Sequence, residues 1–275
     1  MKGYDKLEFK LPNRPQESNK GTFGRVLNIA GSEFMPGAGY LSSVAALKTG
    51  CGYCFLYTDP KVIPIVASKA HSVVFVLDKD LRGNFKTDVV SIGCGLTTKA
   101  DKLFKTIVKK FNDKPMVIDA DGLNILAQNN VKLSDNTILT PHPMEAARLL
   151  DTDVKQILDN KKEAAREISK KYNCITVLKS HNTVVCSKEL EIYTNNTGNS
   201  ALAKAGSGDV LTGMIAGFLA QGMDSFEAAK LGVYLHGLCG EIASEKLTEY
   251  SVMAEDLISF IPESIKTILA VEFCN

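Results

Sequence analysis

Hydrophobic positions along the chain fall into short runs, each ending in a glycine or acidic turn and followed by a stretch of helical spacing. "RVLNIAG" (25–31), "YCFLYT" (53–58), "DVVSIGCG" (88–95), "PMVID" (115–119), "NTILT" (136–140) and "CITVLKS" (174–180) read as strands. Runs such as "VLNIA", "MVID" and "ITVLK" are apolar on both alternations, which predicts strands covered on both faces. "GYLSSVAALKTG" predicts a helix closed by Gly50, and "DGLNIL" and "PMEAARLL" continue strands into helices. Strand and helix in alternation predict a parallel sheet with helices on both sides. After Lys179 the rhythm changes. "TVVCSKELEIYT" reads as a β-hairpin around the polar "SKE", and from residue 207 the chain is helical. Asp224, with Glu227 three residues later, opens the helix "DSFEAAKLGVYLHGLCGEIASEKL" in a capping-box pattern. No linker or repeat divides the chain, so one α/β domain is expected.

In such sheets, ligands sit beyond the carboxyl ends of the strands. The stretch "KAGSGDVLTGMIAG" (204–217) sets Gly206, Gly208, Gly213 and Gly217 around one acid, Asp209. A helix start leaves four N–H groups unpaired and carries about half a positive charge. Gly206 and Gly208 let an anion approach those groups, with Ser207 between them. The helix behind is apolar nearly all round, so it is expected to be buried and rigid. Gly213 and Gly217, four apart, would let another backbone come close. A first-turn acid alone calls for none of this, so an anion hole with Asp209 as a positioned base is the favoured reading.

Other strand ends offer weaker candidates. Asp119, Asp121 and Asn124 follow a buried strand and suit either a turn or a ligand. His142 and Glu145 sit on the opening turn of a helix that starts near Pro143, as a cap and first-turn acid or as site residues. Lys179 ends an apolar strand and can reach a phosphate; an ordinary surface turn over Lys179–Thr183 has the same appearance. The glycine turns "GSEFMPGAG" and "IGCGLTT" also suit close approach to a ligand. His236 reads as a core histidine, and Met35, Met214 and Met223 read as packing.

Composition narrows the classes. Thirty-two basic against 31 acidic residues give a formal charge of +1, which is no footprint for nucleic acid. The polar start is not expected to be a secretory signal, and "VEFCN" at the end is not a prenylation box. No run reaches the ~18 apolar residues of a membrane span. Seven irregularly spaced cysteines read as reduced core thiols in the cytoplasm. Cys51 and Cys54 form a lone C-x-x-C followed by a strand, which favours core packing over a metal or redox site.

Taken in order, "KGTFGRVLNIAGS", "MPGAGYLSSVAALKTGCG", "IGCGL", "VIDADGLNIL", "LTPHPMEAARL", "VLKSHNT" and "NTGNSALAKAGSGDVLTGMIAGFLAQG" resemble the NAD(P)H-hydrate dehydratases. The resemblance implies a ribokinase-like three-layer sandwich spanning residues 21–275, with residues 1–20 as an N-terminal extension. It implies a stand-alone enzyme that uses ADP or ATP, with Mg²⁺, to restore NADH or NADPH from its hydrate. By the same resemblance Asp209 is the general base. Ala38, Gly95, Asn124, His142 and Asp209 hold the hydrate; Lys179, Ser180, His181, Asn182, Thr183, Gly206, Ser207 and Gly208 hold the nucleotide. Glu145 organises the Mg²⁺ indirectly. Relatives suggest a homotetramer. "KSHNT", "IGCGL" and "NSALAKAG" depart from the family's more usual residues. Two alternatives remain at this point: a small-molecule kinase of the same fold, such as a hydroxyethylthiazole kinase, and a non-catalytic nucleotide-binding protein.

Overall fold

The structure is a computed structural model and describes residues 9–272. In chain order the first half runs β1 (Arg25–Ile29), α1 (Pro36–Thr49), β2 (Tyr53–Tyr57), α2 (Ile63–Ala67), β3 (Val74–Val76), α3 (Asp78–Arg82), β4 (Val89–Ile92), α4 (Asp101–Lys110), β5 (Met116–Ile118) and α5 (Asp121–Ala127). The second half runs β6 (Thr137–Leu139), α6 (Pro143–Leu150), α7 (Val154–Asp159), α8 (Lys161–Tyr172), β7 (Ile175–Leu178), β8 (Val184–Cys186), β9 (Ile192–Thr194), α9 (Ser207–Ala220), α10 (Ser225–Leu247) and α11 (Ala254–Glu272).

The strands form one sheet in the order β3-β2-β1-β4-β5-β6-β7-β8-β9. Pairing is parallel from β3 through β7, and β8 and β9 add antiparallel. The expected parallel sheet and late hairpin are both present. β7 also turns directly into β8, so residues 179–183 form a hairpin turn at the carboxyl end of the sheet.

Strand alternation sorts side chains to two cores. Val26, Val117, Ile138, Ile175 and Val177 face a cluster built with α1, α9, α10 and α11. Leu27, Ile29, Val90, Ile92, Met116 and Ile118 face a second cluster carried largely by α4, α5, α6 and α8. Helix α9 is buried along almost its whole length, as its apolar sequence predicts. Its close approach to α1 is written in two glycines. A Cβ at Gly213 would lie 2.2 Å from Ser42 O, and one at Gly217 would lie 2.8 Å from Ala46 O.

Cys51 and Cys54 are buried and free, in line with small core residues. Met214 is buried and Met223 packs on the same core. Met35 is different: it precedes α1 in a turn closed by its own N–H on Ser32 O at 2.9 Å, and it is exposed, so it is not packing. Of the N-terminal extension, residues 1–8 lie outside the described residues; Phe9 is buried against the rings of Tyr193 and Tyr234.

Candidate active site

Alternation also aims the site. Val117 faces α9, so Asp119 two residues on points to the same side; Val177 and Lys179 repeat the rule on β7. The two side chains meet beneath the start of α9. Lys179 Nζ donates to Asp119 Oδ1 at 2.6 Å and lies 4.0 Å from Glu145 Oε2. Asp119 also accepts from Ala120 N–H at 2.8 Å and from Thr212 Oγ1 at 2.8 Å. Burial pulls the Lys179 pKa down, but the charges of Asp119 and then Glu145 outweigh it and hold the ammonium above its ordinary value. Ala120 pays a local strain, at φ 49°, in the turn that presents Asp119.

Above this pair lies the glycine turn. Gly206, at φ 89°, is the N-cap residue of α9, and a Cβ there would lie 2.6 Å from Leu41 Cδ1. Ser207 N–H donates to Lys204 O at 3.2 Å and Val210 N–H to Gly206 O at 3.1 Å. The N–H groups of Gly208 and Asp209 have no acceptor among the described residues. A Cβ at Gly208 would stand 3.4 Å from Lys179 Nζ and 3.6 Å from Asp119 Oδ2, so the ammonium, the carboxylate and the open amides share one space. Asp209 sits at its edge, half-buried. Burial first, and then the nearby Asp119 charge, push its carboxyl up to about 6, while the Cys94 thiol donates to it.

His142 and Glu145 form the capping box of α6. His142 Nδ1 accepts from Met144 N–H at 3.1 Å and Glu145 N–H at 3.3 Å, and Glu145 Oε2 accepts from His142 N–H at 2.9 Å. With Nδ1 accepting, the ring proton of the neutral imidazole sits on Nε2, which faces Glu145 Oε1 at 3.2 Å. Burial, then the Lys179 charge, lowers the His142 pKa and keeps the ring neutral; burial raises that of Glu145. Of the two readings of His142, the structure shows the cap of α6, linked through Glu145 to Lys179.

Ala38 and Gly95 come together, since a Cβ on Gly95 would lie 2.7 Å from the Ala38 Cβ. Asn124 is turned toward α6, where its Oδ1 accepts from Arg148 Nη1 at 2.8 Å. In the turn after Lys179, Thr183 Oγ1 donates to Ser180 O at 3.0 Å, Asn182 takes φ 56°, and Lys161 Nζ donates to His181 O at 2.6 Å. His181 and Asn182 are exposed. Ser207 and Gly208 lie at the cradle itself.

A half-buried carboxylate beside free helix-start amides and a fixed ammonium suits attack by a hydroxyl on a phosphoryl group. Comparison with known proteins agrees with that chemistry. The family model for NAD(P)H-hydrate dehydratase matches residues 26–263. The chain belongs to the NAD(P)H-hydrate dehydratase family. The ADP-dependent (S)-NAD(P)H-hydrate dehydratase of Neisseria meningitidis serogroup B is 40% identical, over 84% of this chain and 81% of that one. The Bacillus subtilis ADP/ATP-dependent NAD(P)H-hydrate dehydratase, co-crystallised with ATP/Mg²⁺, is 32% identical with a TM-score of 0.87, covering 94% of each chain. The hydroxyethylthiazole kinase of Pyrococcus horikoshii has a TM-score of 0.61 at 14% identity over 86% of this chain and 87% of that one, a likeness of fold alone. The fold is ribokinase-like, as in a ribokinase-like superfamily protein of Enterococcus faecalis V583 that is 30% identical with a TM-score of 0.84, covering 94% of this chain and 92% of that one.

Within this dehydratase frame, sequence reading missed three partners. In the sequence Cys94 reads only as part of a glycine turn, Thr212 only as part of an apolar helix, and His236 only as core. His236 Nε2 lies 3.0 Å from Ser207 Oγ, at the cradle.

Proposed function

We propose that this chain restores NADH and NADPH from their hydrates, using ADP or ATP as phosphoryl donor. The observation that carries the reading is the desolvated Asp209 carboxyl beside the two open amides of α9, in a chain of the dehydratase family. Asp209 takes the proton of the hydrate hydroxyl, and the oxygen attacks the terminal phosphorus of the nucleotide. Gly208 and Asp209 N–H receive the phosphoryl oxygens, and Lys179 adds a point charge, so positioning and electrostatics supply the rate. ADP leaves as AMP, or ATP as ADP. The C–O bond then breaks as the ring nitrogen donates its lone pair. Phosphate departs with the hydroxyl oxygen, and loss of a proton from the neighbouring carbon restores the ring double bond.

Ala38, Gly95, Asn124 and His142 are the surfaces against which the hydrate rests. Lys179 to Thr183, with Gly206, Ser207 and Gly208, hold the nucleotide. For Mg²⁺ the fit is through the nucleotide. Among the described residues no three His, Cys, Asp or Glu side chains gather as a metal cage. Glu145 has one oxygen on His142 N–H and the other facing the His142 ring, which leaves it to hold the ion through water. Bound on the phosphates, the ion neutralises their charge.

Residues 21–275 form the catalytic domain, with 1–20 as an extension. The free, buried thiols suit a reducing cytoplasm, where nucleotide and damaged cofactor meet. The homotetramer rests on the resemblance, and light scattering on the full chain checks it. The function is tested by incubating the protein with NADH hydrate, ADP and Mg²⁺. Recovery of reduced-nicotinamide absorbance supports the dehydratase; a stable phosphorylated product with no recovery would instead identify a kinase.

A further inference from the structure

Between β1 and α1 the chain carries Phe34 and Met35 in solvent, 87% and 38% exposed, just before it reaches Ala38. Every other phenylalanine among the described residues is buried or partly buried. A lone apolar side chain on a surface is ordinary. An aromatic ring and a thioether side by side, on the loop that leads to a ligand surface, call for an occupant.

The loop is held from both sides. Gly31 N–H donates to Cys94 O at 2.8 Å, and Ala38 N–H donates to Met35 O at 3.3 Å. Glu33 pairs with Lys61 at 2.7 Å. A Cβ on Gly95 would lie 3.1 Å from the Met35 Cβ and 2.7 Å from the Ala38 Cβ, so this loop and the Gly95 turn meet with no room for a side chain between them. Phe34 thus stands on a fixed backbone at the rim, next to Ala38 and Gly95, and the same turn brings the Cys94 thiol to Asp209. A backbone set in advance lets its ring engage a flat partner at small entropic cost.

The substrate supplies such a partner. The reacting ring of the hydrate must bring its hydroxyl to Asp209, inside the site. Across the diphosphate the same molecule carries a planar adenine, which has a face to stack and no chemistry to undergo. We infer that Phe34, with Met35 beside it, is a specificity-determining residue that takes the adenine ring of the dinucleotide hydrate. This rests on the proposed dehydratase reading of the site. A contact far from the reacting carbon is made equally in the ground state and the transition state, so it is felt in KM and not in kcat.

The test uses the full chain as wild type, Phe34→Ser and Phe34→Tyr, with saturating ADP and Mg²⁺. Two substrates are compared: NADH hydrate and the hydrate of reduced nicotinamide mononucleotide, which lacks the adenosine half. Phe34→Ser is expected to raise KM for NADH hydrate roughly tenfold, the scale of one base stacked on an aromatic ring, with kcat held. Phe34→Tyr, which keeps the ring, is expected to stay near wild type. On the mononucleotide hydrate, Phe34→Ser and wild type are expected to be equal. Thermal unfolding and light scattering are expected to match for all three proteins, since the ring lies outside the core. An unchanged KM for NADH hydrate, or an equal loss on both substrates, overturns the inference. A loss that follows a change in oligomeric state also overturns it and makes Phe34 a contact between copies of the chain. A wild type that turns over no hydrate counts against the proposed reaction. Phe34 is then decided by binding of NADH, followed by its fluorescence: a roughly tenfold weaker affinity in Phe34→Ser, with the reduced mononucleotide unaffected, supports the contact, and equal NADH binding overturns it.

Discussion

Replacing Asp209 by asparagine should abolish the reaction and stabilise the protein at the same time. The carboxyl is raised from 3.8 to about 6 by burial and by the charge of Asp119. Holding it ionised at neutral pH therefore costs about 3 kcal/mol, at 1.36 kcal/mol per unit of pKa. That is an upper figure for the gain from a neutral isostere, because the Cys94 thiol also loses an anionic acceptor. In a chain of this size it corresponds to a rise in Tm of several degrees. The sign with pH is fixed. Above about pH 6 the folded wild type carries the full penalty. Between 6 and the unfolded value near 4 the folded carboxyl takes up its proton and the penalty fades. The Asp209→Asn advantage should be largest near pH 7.5 and absent near pH 4, by thermal unfolding at each pH. Over the same range the wild-type kcat/KM should fall tenfold per pH unit below about 6, as the base protonates. Turnover by the variant should drop by on the order of 10²–10⁴ with ADP binding retained. A variant that is active, or one whose Tm advantage persists unchanged to pH 4, would refute the reasoning.

Three further changes probe the frame around that base. Gly208→Val places methyl groups where Lys179 Nζ and Asp119 Oδ2 lie 3.4 and 3.6 Å from a Cβ, and calorimetry should show ADP binding lost; unchanged affinity would contradict the cradle. Asp119→Ala leaves the largely buried Lys179 without its 2.6 Å partner and removes the acceptor of Thr212, so denaturant unfolding should show a loss of roughly 3–5 kcal/mol. Gly213→Ala drives a Cβ to 2.2 Å from Ser42 O across the α1–α9 contact; about 1–3 kcal/mol of stability should go, with catalysis per folded molecule unaffected.

How much of this was legible in the sequence depended on whether the signal was local. The glycine turn and Asp209 could be read because a helix start announces itself within a few residues, and α9 is apolar on every side. The parallel strands could be read because burial on both faces makes them continuous apolar runs, as in "ITVL". The three-residue edge strand β3 could not: it is partly exposed and carries no such run. The amphipathic α4 and α8 likewise passed unnamed between the motifs. Asp119 stayed ambiguous because its role is set by Lys179, 60 residues away, and Thr212, 93 residues away. His236 read as core for the same reason, its partner Ser207 being 29 residues distant. His142 reads in the sequence as either a cap or a site residue, and the capping box with Glu145 makes it the cap of α6.

Following the hydroxyl oxygen gives the most direct trial of the mechanism. NADH hydrate carrying ¹⁸O in that hydroxyl is turned over with ADP and Mg²⁺, and the phosphate released is analysed by mass spectrometry. Attack on phosphorus followed by C–O cleavage predicts one ¹⁸O atom in each phosphate formed. Label found in water, with unlabelled phosphate, would contradict it.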